Sequence, residues 1–219
     1  MKYIFLHGLG QTAQSWQEVI RQLDPEWDVL CPDLAEWLLE KEACYRTLYQ
    51  KLEKYCGQLE ESLCLCGLSL GGILALDFAA NHPDRVCRLV LMGTPYKMPR
   101  KLLKLQDVLF HFMPERAFLD IGFEKKAFIG LCRSMAALDF EKRLNRIAAR
   151  TLVLCGKKDF ANKAACVKLA EALPDAGLVW IPDAGQEVNR DNPVLLGKEL
   201  RRFLESGQPS FLHQKGDVR

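Results

Sequence analysis

Residues 63–80 read LCLCGLSLGGILALDFAA, and the fold turns on how this stretch is parsed. Leu63, Cys64, Leu65 and Cys66 form an apolar run of strand length, and Ile73, Leu76 and Phe78 recur at helical spacing up to Ala80. Between the two lies Gly67-Leu-Ser-Leu-Gly71. A Gly-x-Ser-x-Gly turn at a strand-to-helix junction is so sharp that only small residues fit at its two ends. Such a turn leaves the Ser69 hydroxyl exposed. The helix behind it directs its N-terminal N–H groups and positive dipole end toward that hydroxyl.

The rest of the chain repeats the strand–helix alternation. Tyr3 to Leu6 reads as a buried strand ending in HGLG, and Ser15-x-x-Glu18 as a capping box that opens a helix through Val19, Ile20 and Leu23. A short strand at Val29 to Cys31 stops at Pro32, and a helical pattern follows over 42–59. Val86 to Met92, Thr151 to Cys155 and Leu178 to Ile181 are further strands, with a helix over 162–173. Asn192 as N-cap and Pro193 in the first turn open a last helix that ends near Glu205. Strands alternating with helices of this length imply βαβ units, hence an α/β fold with a mostly parallel sheet flanked by helices.

The alternation is interrupted once. Between Tyr96 and Arg150 the pattern turns helical and aromatic: Leu102, Leu105, Leu109 and Phe112, then Phe118, Phe123, Phe128, Leu131, Met135 and Leu138. Such a stripe is a packing face, placed here over the C-terminal edge of the sheet as a lid. The expected organisation is therefore a core of residues 1–95 and 150–205, a helical cap over 96–149, and a loose tail over 206–219. The basic segment carries 12 Lys/Arg against 6 Asp/Glu, although the whole chain is only +2. It is either a solvated helical face or a feature that favours an anionic ligand.

Composition narrows the class. A chain of 219 residues, 49% apolar and 26% charged, suits one soluble globular domain. No apolar run approaches the roughly 20 residues of a membrane span. The N-terminus MKYIFLHGLG lacks the long apolar stretch and cleavage site of a secretory signal, so a cytoplasmic location is expected. The nine cysteines are odd in number, and Cys64, Cys66, Cys87 and Cys155 fall in strand-like runs, which reads as reduced thiols. Cys64-x-Cys66 has no second Cys/His pair beside it, so no metal is expected.

With these motifs in order, residues 3–205 resemble the α/β-hydrolase family. HGLG matches the loop whose backbone N–H completes that family's oxyanion hole, and the donors implied are Leu9 and Leu70. NHPDRV matches the link from the nucleophile helix to the next strand. LVLCGKKD places Asp159 where the family keeps its triad acid, although an Asp there also suits a helix cap. His7 takes the family's structural role rather than that of a base. The family strands that usually precede the HG loop are missing, which implies a trimmed member. IPDAGQEVNRDNP, residues 181–193, matches the family's last loop, which ordinarily reads Gly-His; here residue 186 is Gln186. The resemblance implies acyl transfer to water from a small ester or thioester, with Ser69 as nucleophile, no cofactor and no nucleic-acid partner. Oligomeric state is not legible.

Gln186 changes the expectation. A triad histidine takes the serine proton and returns it to the leaving group. A carboxamide can donate to Asp159 and accept from Ser69, but it cannot take up a proton near neutral pH. Removing the base from a serine hydrolase costs about 10⁶-fold in kcat. Four accounts stay open: a lineage that kept only its ligand pocket, an esterase with an incidental replacement at 186, a rescue base, and slow chemistry with substrate or water as base. His111 is the histidine considered for rescue, with Glu187 the nearest carboxylate; His82 and His213 are read as a surface turn and a tail residue. The impaired hydrolase ranks before the silent ligand-binding protein.

Overall fold

A computed structural model describes residues 1–38, 43–98, 113–119 and 124–205. Six strands, β1 (Lys2–Leu6), β2 (Val29–Leu30), β3 (Leu63–Leu68), β4 (Val86–Met92), β5 (Arg150–Gly156) and β6 (Ala176–Ile181), form one sheet. Their order is β2-β1-β3-β4-β5-β6, and every neighbouring pair runs parallel. The helices of the described residues are α1 (Gln17–Ile20), α2 (Tyr45–Gly57), α3 (Leu70–Asn81), α4 (Arg116–Leu119), α5 (Lys125–Met135), α6 (Lys163–Ala172), α7 (Val188–Asp191) and α8 (Pro193–Glu205). The α/β fold with a parallel sheet flanked by helices is thus as the sequence implies.

Strand residues alternate between two apolar layers. Ile4, Leu6, Leu63, Leu65, Leu89, Leu91 and Val153 face the layer containing α2, α3 and α6. Tyr3, Phe5, Cys64, Cys66, Val90, Leu152 and Leu154 face α1 and α8. Both faces are covered, which is why the strands read as unbroken apolar runs rather than alternating ones. Helix α3 is apolar all round because residues 70–80 are all buried. Its one buried carboxylate, Asp77, accepts from Tyr45 Oη at 2.9 Å, Arg143 Nη1 at 2.8 Å and Asn81 Nδ2 at 3.1 Å.

Two expected boundaries move. The capping box belongs to Thr12 and Ser15, not to Ser15 and Glu18, and it opens a 3-10 turn (Ala13–Trp16) ahead of the four-residue α1. Glu18 instead pairs with Arg21 on the surface, so it is not free to reach back to Ser15. Leu23 is buried beyond the end of α1. Helix α2 starts at Tyr45 rather than at 42, where Ser134 Oγ of the inserted segment accepts the Tyr45 N–H at 2.8 Å.

The segment between β4 and β5 is tied off at its base. Phe140 N–H donates to Tyr96 O at 2.9 Å, and Met98 N–H to Leu138 O at 3.1 Å. Within it, α5 packs on α2, and a 3-10 turn (Glu141–Arg146) packs on α3 and α6. Phe118, Phe128, Leu131, Met135, Phe140 and Leu144 share the α2/α3 apolar layer. Part of its basic charge is already matched: Lys97 pairs with Asp139 and Glu141, and Arg143 with Asp77. Leu102, Leu105, Leu109, His111, Phe112, Phe123 and the tail over 206–219, His213 included, lie outside the described residues.

The turn from β3 into α3 is tightly packed against its neighbours. Ser69 has φ 49° and ψ −110°, a conformation costing about 1–3 kcal/mol for a residue with a side chain. A Cβ on Gly67 would overlap the Gly71 carbonyl, and one on Gly71 would overlap the Leu6 carbonyl at the end of β1. Gly71→Ala should therefore lower the unfolding free energy by at least about 3 kcal/mol in a urea titration. Gly57→Ala, where nothing lies within 4 Å, should change it by no more than about 1 kcal/mol. Equal effects at the two sites would contradict this reading of the turn.

After β1, His7 fixes the next loop. Its buried imidazole contacts Gly8 O through Nδ1 at 2.9 Å and accepts the Leu34 N–H on Nε2 at 2.9 Å, so it is the neutral Nδ1–H tautomer. Asp33 lies 3.5 Å from Nε2, but burial dominates and lowers the His7 pKa. The neutral ring's contribution to stability is complete above about pH 6.5, the ordinary histidine value, and is lost as pH falls toward the lowered folded value. His7→Asn should accordingly flatten the decline of Tm between pH 6.5 and 5. An unchanged slope would show that His7 is not the group responsible.

Candidate active site

Five strands deliver the site, each from its C-terminal end. HGLG follows β1, Ser69 follows β3, Gly93 follows β4, Asp159 follows β5 by three residues, and Gln186 lies in the loop after β6. In a parallel sheet the C-terminal edge is where such loops gather. The Ser69 N–H is held by Met92 O at 2.8 Å, and Gly93 N–H by Leu154 O at 3.1 Å, so the strand ends are stitched to one another up to the site.

Gln186 reaches Ser69: its Nε2 donates to Ser69 Oγ at 3.0 Å. The contact has the opposite polarity to the one a carboxamide was expected to make, in which Ser69 is the donor. A lone pair of Oγ is therefore engaged by an N–H, while the proton that a base would remove has no acceptor in this pair. The loop is anchored by Lys157 N–H to Ile181 O and Lys158 N–H to Ala184 O, both at 2.8 Å, and by Gly185 N–H to Asp191 Oδ2 at 2.7 Å.

Asp159 is 6% exposed and faces the same space. A Cβ placed on Gly93, which has φ 52°, would lie 3.4 Å from Asp159 Oδ2 and 3.5 Å from Gln186 Cγ. The acid and residue 186 thus both lie close to Gly93. The Asp159 carboxylate, however, accepts from Asn162 rather than from Gln186. Asn162 Nδ2 lies 3.0 Å from Oδ1 and 2.8 Å from Oδ2, and the Asn162 N–H lies 3.2 Å from Oδ1. Asp159 consequently does both things its position allows, holding the turn before α6 and facing the site. Asn162 was not singled out in the sequence, although its Asp-x-x-Asn spacing is a signal for this local turn.

Leu70 is the first residue of α3, and Leu9 sits in the turn after β1. Among the described residues, neither N–H has an acceptor in the protein. Gly8 packs this turn against the end of β3, where a Cβ would lie 3.4 Å from Leu68 Cδ2. His82 pairs with Glu53 at the far end of α3 from Ser69, and Glu187 pairs with Arg190. His111 lies outside the described residues.

None of the nine cysteines forms a disulfide. Burial pushes the Cys31 and Cys56 thiols up to about 12, which makes them hydrophobic filling rather than nucleophiles. Among the described residues no cluster of three His, Cys, Asp or Glu could hold a metal ion, and no helix is long and apolar enough to cross a membrane.

Comparison with known proteins bears on the family and the fold. A pimeloyl-[acyl-carrier protein] methyl ester esterase of Aromatoleum aromaticum is 36% identical over 91 residues, 42% of this chain and 36% of that protein. The protein of the same name from Edwardsiella ictaluri is 23% identical over 195 residues, 87% of this chain and 67% of that protein. The matches thus span from about a third to two thirds of these relatives' length. The crystal structure of an enol-lactonase from Burkholderia xenovorans LB400 superposes with a TM-score of 0.83 at 20% identity, covering 93% of this chain and 91% of that one. At that identity the likeness speaks for the fold. Residues 3–196 match the Alpha/beta hydrolase family along most of the chain, and the protein belongs to that family.

Proposed function

We propose that the protein is a serine hydrolase for a small ester or thioester whose triad lacks its base. Ser69 is the nucleophile, Asp159 the acid, and Gln186 stands in the base position. The N–H groups of Leu9 and Leu70 are the oxyanion donors. One observation carries the reading: residue 186 meets Ser69 Oγ at 3.0 Å, the place from which a histidine would take its proton. The names of the esterase relatives support ester hydrolysis as the reaction class.

The missing step is proton transfer. When Oγ attacks a carbonyl carbon, its proton must leave, and the developing oxyanion needs donors. The second requirement is met by backbone. The first is not, because an amide nitrogen already bearing two hydrogens cannot accept another. What remains is the oxyanion and binding contribution, about 10³–10⁴ over water. Residues 96–149 are proposed as a helical cap over Ser69, the protein's setting as cytoplasmic, and its chemistry as needing no cofactor.

A second reading, a silent ligand-binding protein, is favoured by the polarity of the same contacts. Gln186 donates to Ser69 Oγ and Asn162 occupies the Asp159 carboxylate, so neither contact is arranged to draw off the serine proton. Ser69→Ala separates the two readings: a binder keeps its ligand affinity, whereas an enzyme loses turnover.

With a short-chain activated ester, Gln186→His should raise kcat by at least about 10³-fold. Brisk turnover by the glutamine form, with nothing added by histidine, would remove residue 186 from the base position. The basic charge left on residues 96–149 should also favour an anionic acyl or alcohol group. Because Lys97 and Arg143 are already paired, the preference should be modest, about tenfold at low salt, and should fade as ionic strength rises. Equal affinity for neutral and anionic ligands of one size at low salt would refute it.

A further inference from the structure

Two buried amides join the loop after β1 to the turn after Gln186. Gln11 and Asn189 are each 1% exposed and 178 residues apart in sequence. Gln11 Nε2 donates to Asn189 Oδ1, and Asn189 Nδ2 donates to Gln11 Oε1, both at 3.2 Å. Each has a further partner. Gln11 Oε1 accepts the Gly8 N–H at 3.2 Å, and Asn189 Nδ2 donates to Ser15 O at 3.2 Å. Both hydrogens of the Asn189 amide and the acceptors of both side chains are therefore engaged. Beside them Arg190 Nη2 donates to Ser15 Oγ at 3.1 Å, so α7 is fastened to the segment after β1 at more than one point.

The consequence lies in one peptide plane. The Leu9 N–H and the Gly8 carbonyl belong to the same planar trans unit and point in opposite directions. The Gly8 carbonyl is held by the His7 Nδ1–H at 2.9 Å and by the Gln11 N–H at 3.1 Å. The next plane back is held through the Gly8 N–H by the Gln11 side chain. Gln11 thus grips Gly8 from both sides and fixes the direction of the Leu9 N–H. Its amide then refers that direction to Asn189, three residues after Gln186. A pair of apolar side chains could fill the same space, but it would specify neither direction nor register.

We propose that Gln11 and Asn189 are positioning residues, a clasp that holds the Leu9 N–H in register with residue 186 across Ser69. The inference rests on the reading of Ser69 and Leu9 given above. It assigns the pair no contact with substrate.

The test uses butylboronic acid, which adds to Ser69 without needing turnover. The Oγ–B bond forms, boron becomes tetrahedral and anionic, and the hydroxyl proton passes to water, so the adduct reports on the donors around Ser69. Asn189→Leu should weaken the adduct at least tenfold and lower Tm, because the Gln11 amide is left buried without its partner. In Gln11→Met/Asn189→Leu, Tm should recover toward that of the unaltered protein, since both buried amides are gone, while the adduct stays at least tenfold weaker. Should Asn189→Leu fail to fold, Asn189→Asp, which keeps the acceptor and withdraws both donors, should show the same weakening.

Recovery of boronate affinity along with Tm would reduce the pair to core filling and overturn the proposal. So would unchanged affinity in every variant, or no adduct in the unaltered protein. The hydrolase reading is judged separately, by turnover in Gln186→His. Brisk turnover with a clasp-insensitive boronate sinks the clasp alone. A clasp-sensitive boronate with no turnover sinks the hydrolase reading and leaves the clasp standing.

Discussion

Gly71 passes so close to the Leu6 carbonyl that no side chain fits between them, and the site is assembled around that contact. It brings the start of α3 over the end of β1, which places the HGLG loop beside Ser69. The same turn forces Ser69 into a backbone conformation that costs about 1–3 kcal/mol. That strain persists because α3 is buried from Leu70 to Ala80 and cannot readily shift to relieve it. Parallel pairing from β1 to β6 then delivers the remaining loops to the same edge of the sheet.

If Ser69 is the nucleophile, as proposed, the direction of single hydrogen bonds decides the chemistry on this scaffold. A histidine at 186 would receive the Ser69 proton; Gln186 instead gives a hydrogen bond to the same oxygen. The distance is that of a working pair, and the proton traffic is not. Asp159 shows the complementary change. A triad acid orients a ring N–H, whereas this carboxylate is taken up by the side chain and backbone of Asn162. On the proposed reading, the backbone donors at Leu9 and Leu70 remain, and the step that needs a titratable nitrogen is lost.

Much of this was legible in the sequence because it is written in local patterns. The strand at Val86–Met92 was bounded by its apolar run alone, and the glycines at 67 and 71 announced the turn. Position 186 was singled out only by the likeness of its loop to the family's last loop. Features that depend on competition between partners were not legible. Ser15-x-x-Glu18 has the letters of a capping box, but Arg21 claims Glu18, and Thr12 takes over the cap. The polarity of the Gln186 contact could not be read from residue type, since an amide offers both a donor and an acceptor. Gln11 and Asn189, 178 residues apart, carry no local signal; only the fold brings them together.

The most direct test of residue 186 as an absent base is the rate at which a fluorophosphonate labels Ser69, followed against pH in the unaltered protein and in Gln186→His. Labelling requires the Oγ proton to leave but requires no substrate specificity. The account predicts slow labelling of the unaltered protein with no inflection near histidine's ordinary value of about 6.5. In Gln186→His it predicts labelling faster by at least about 10³-fold and rising through an inflection in that region. Equal rates and equal pH profiles in the two proteins would contradict it.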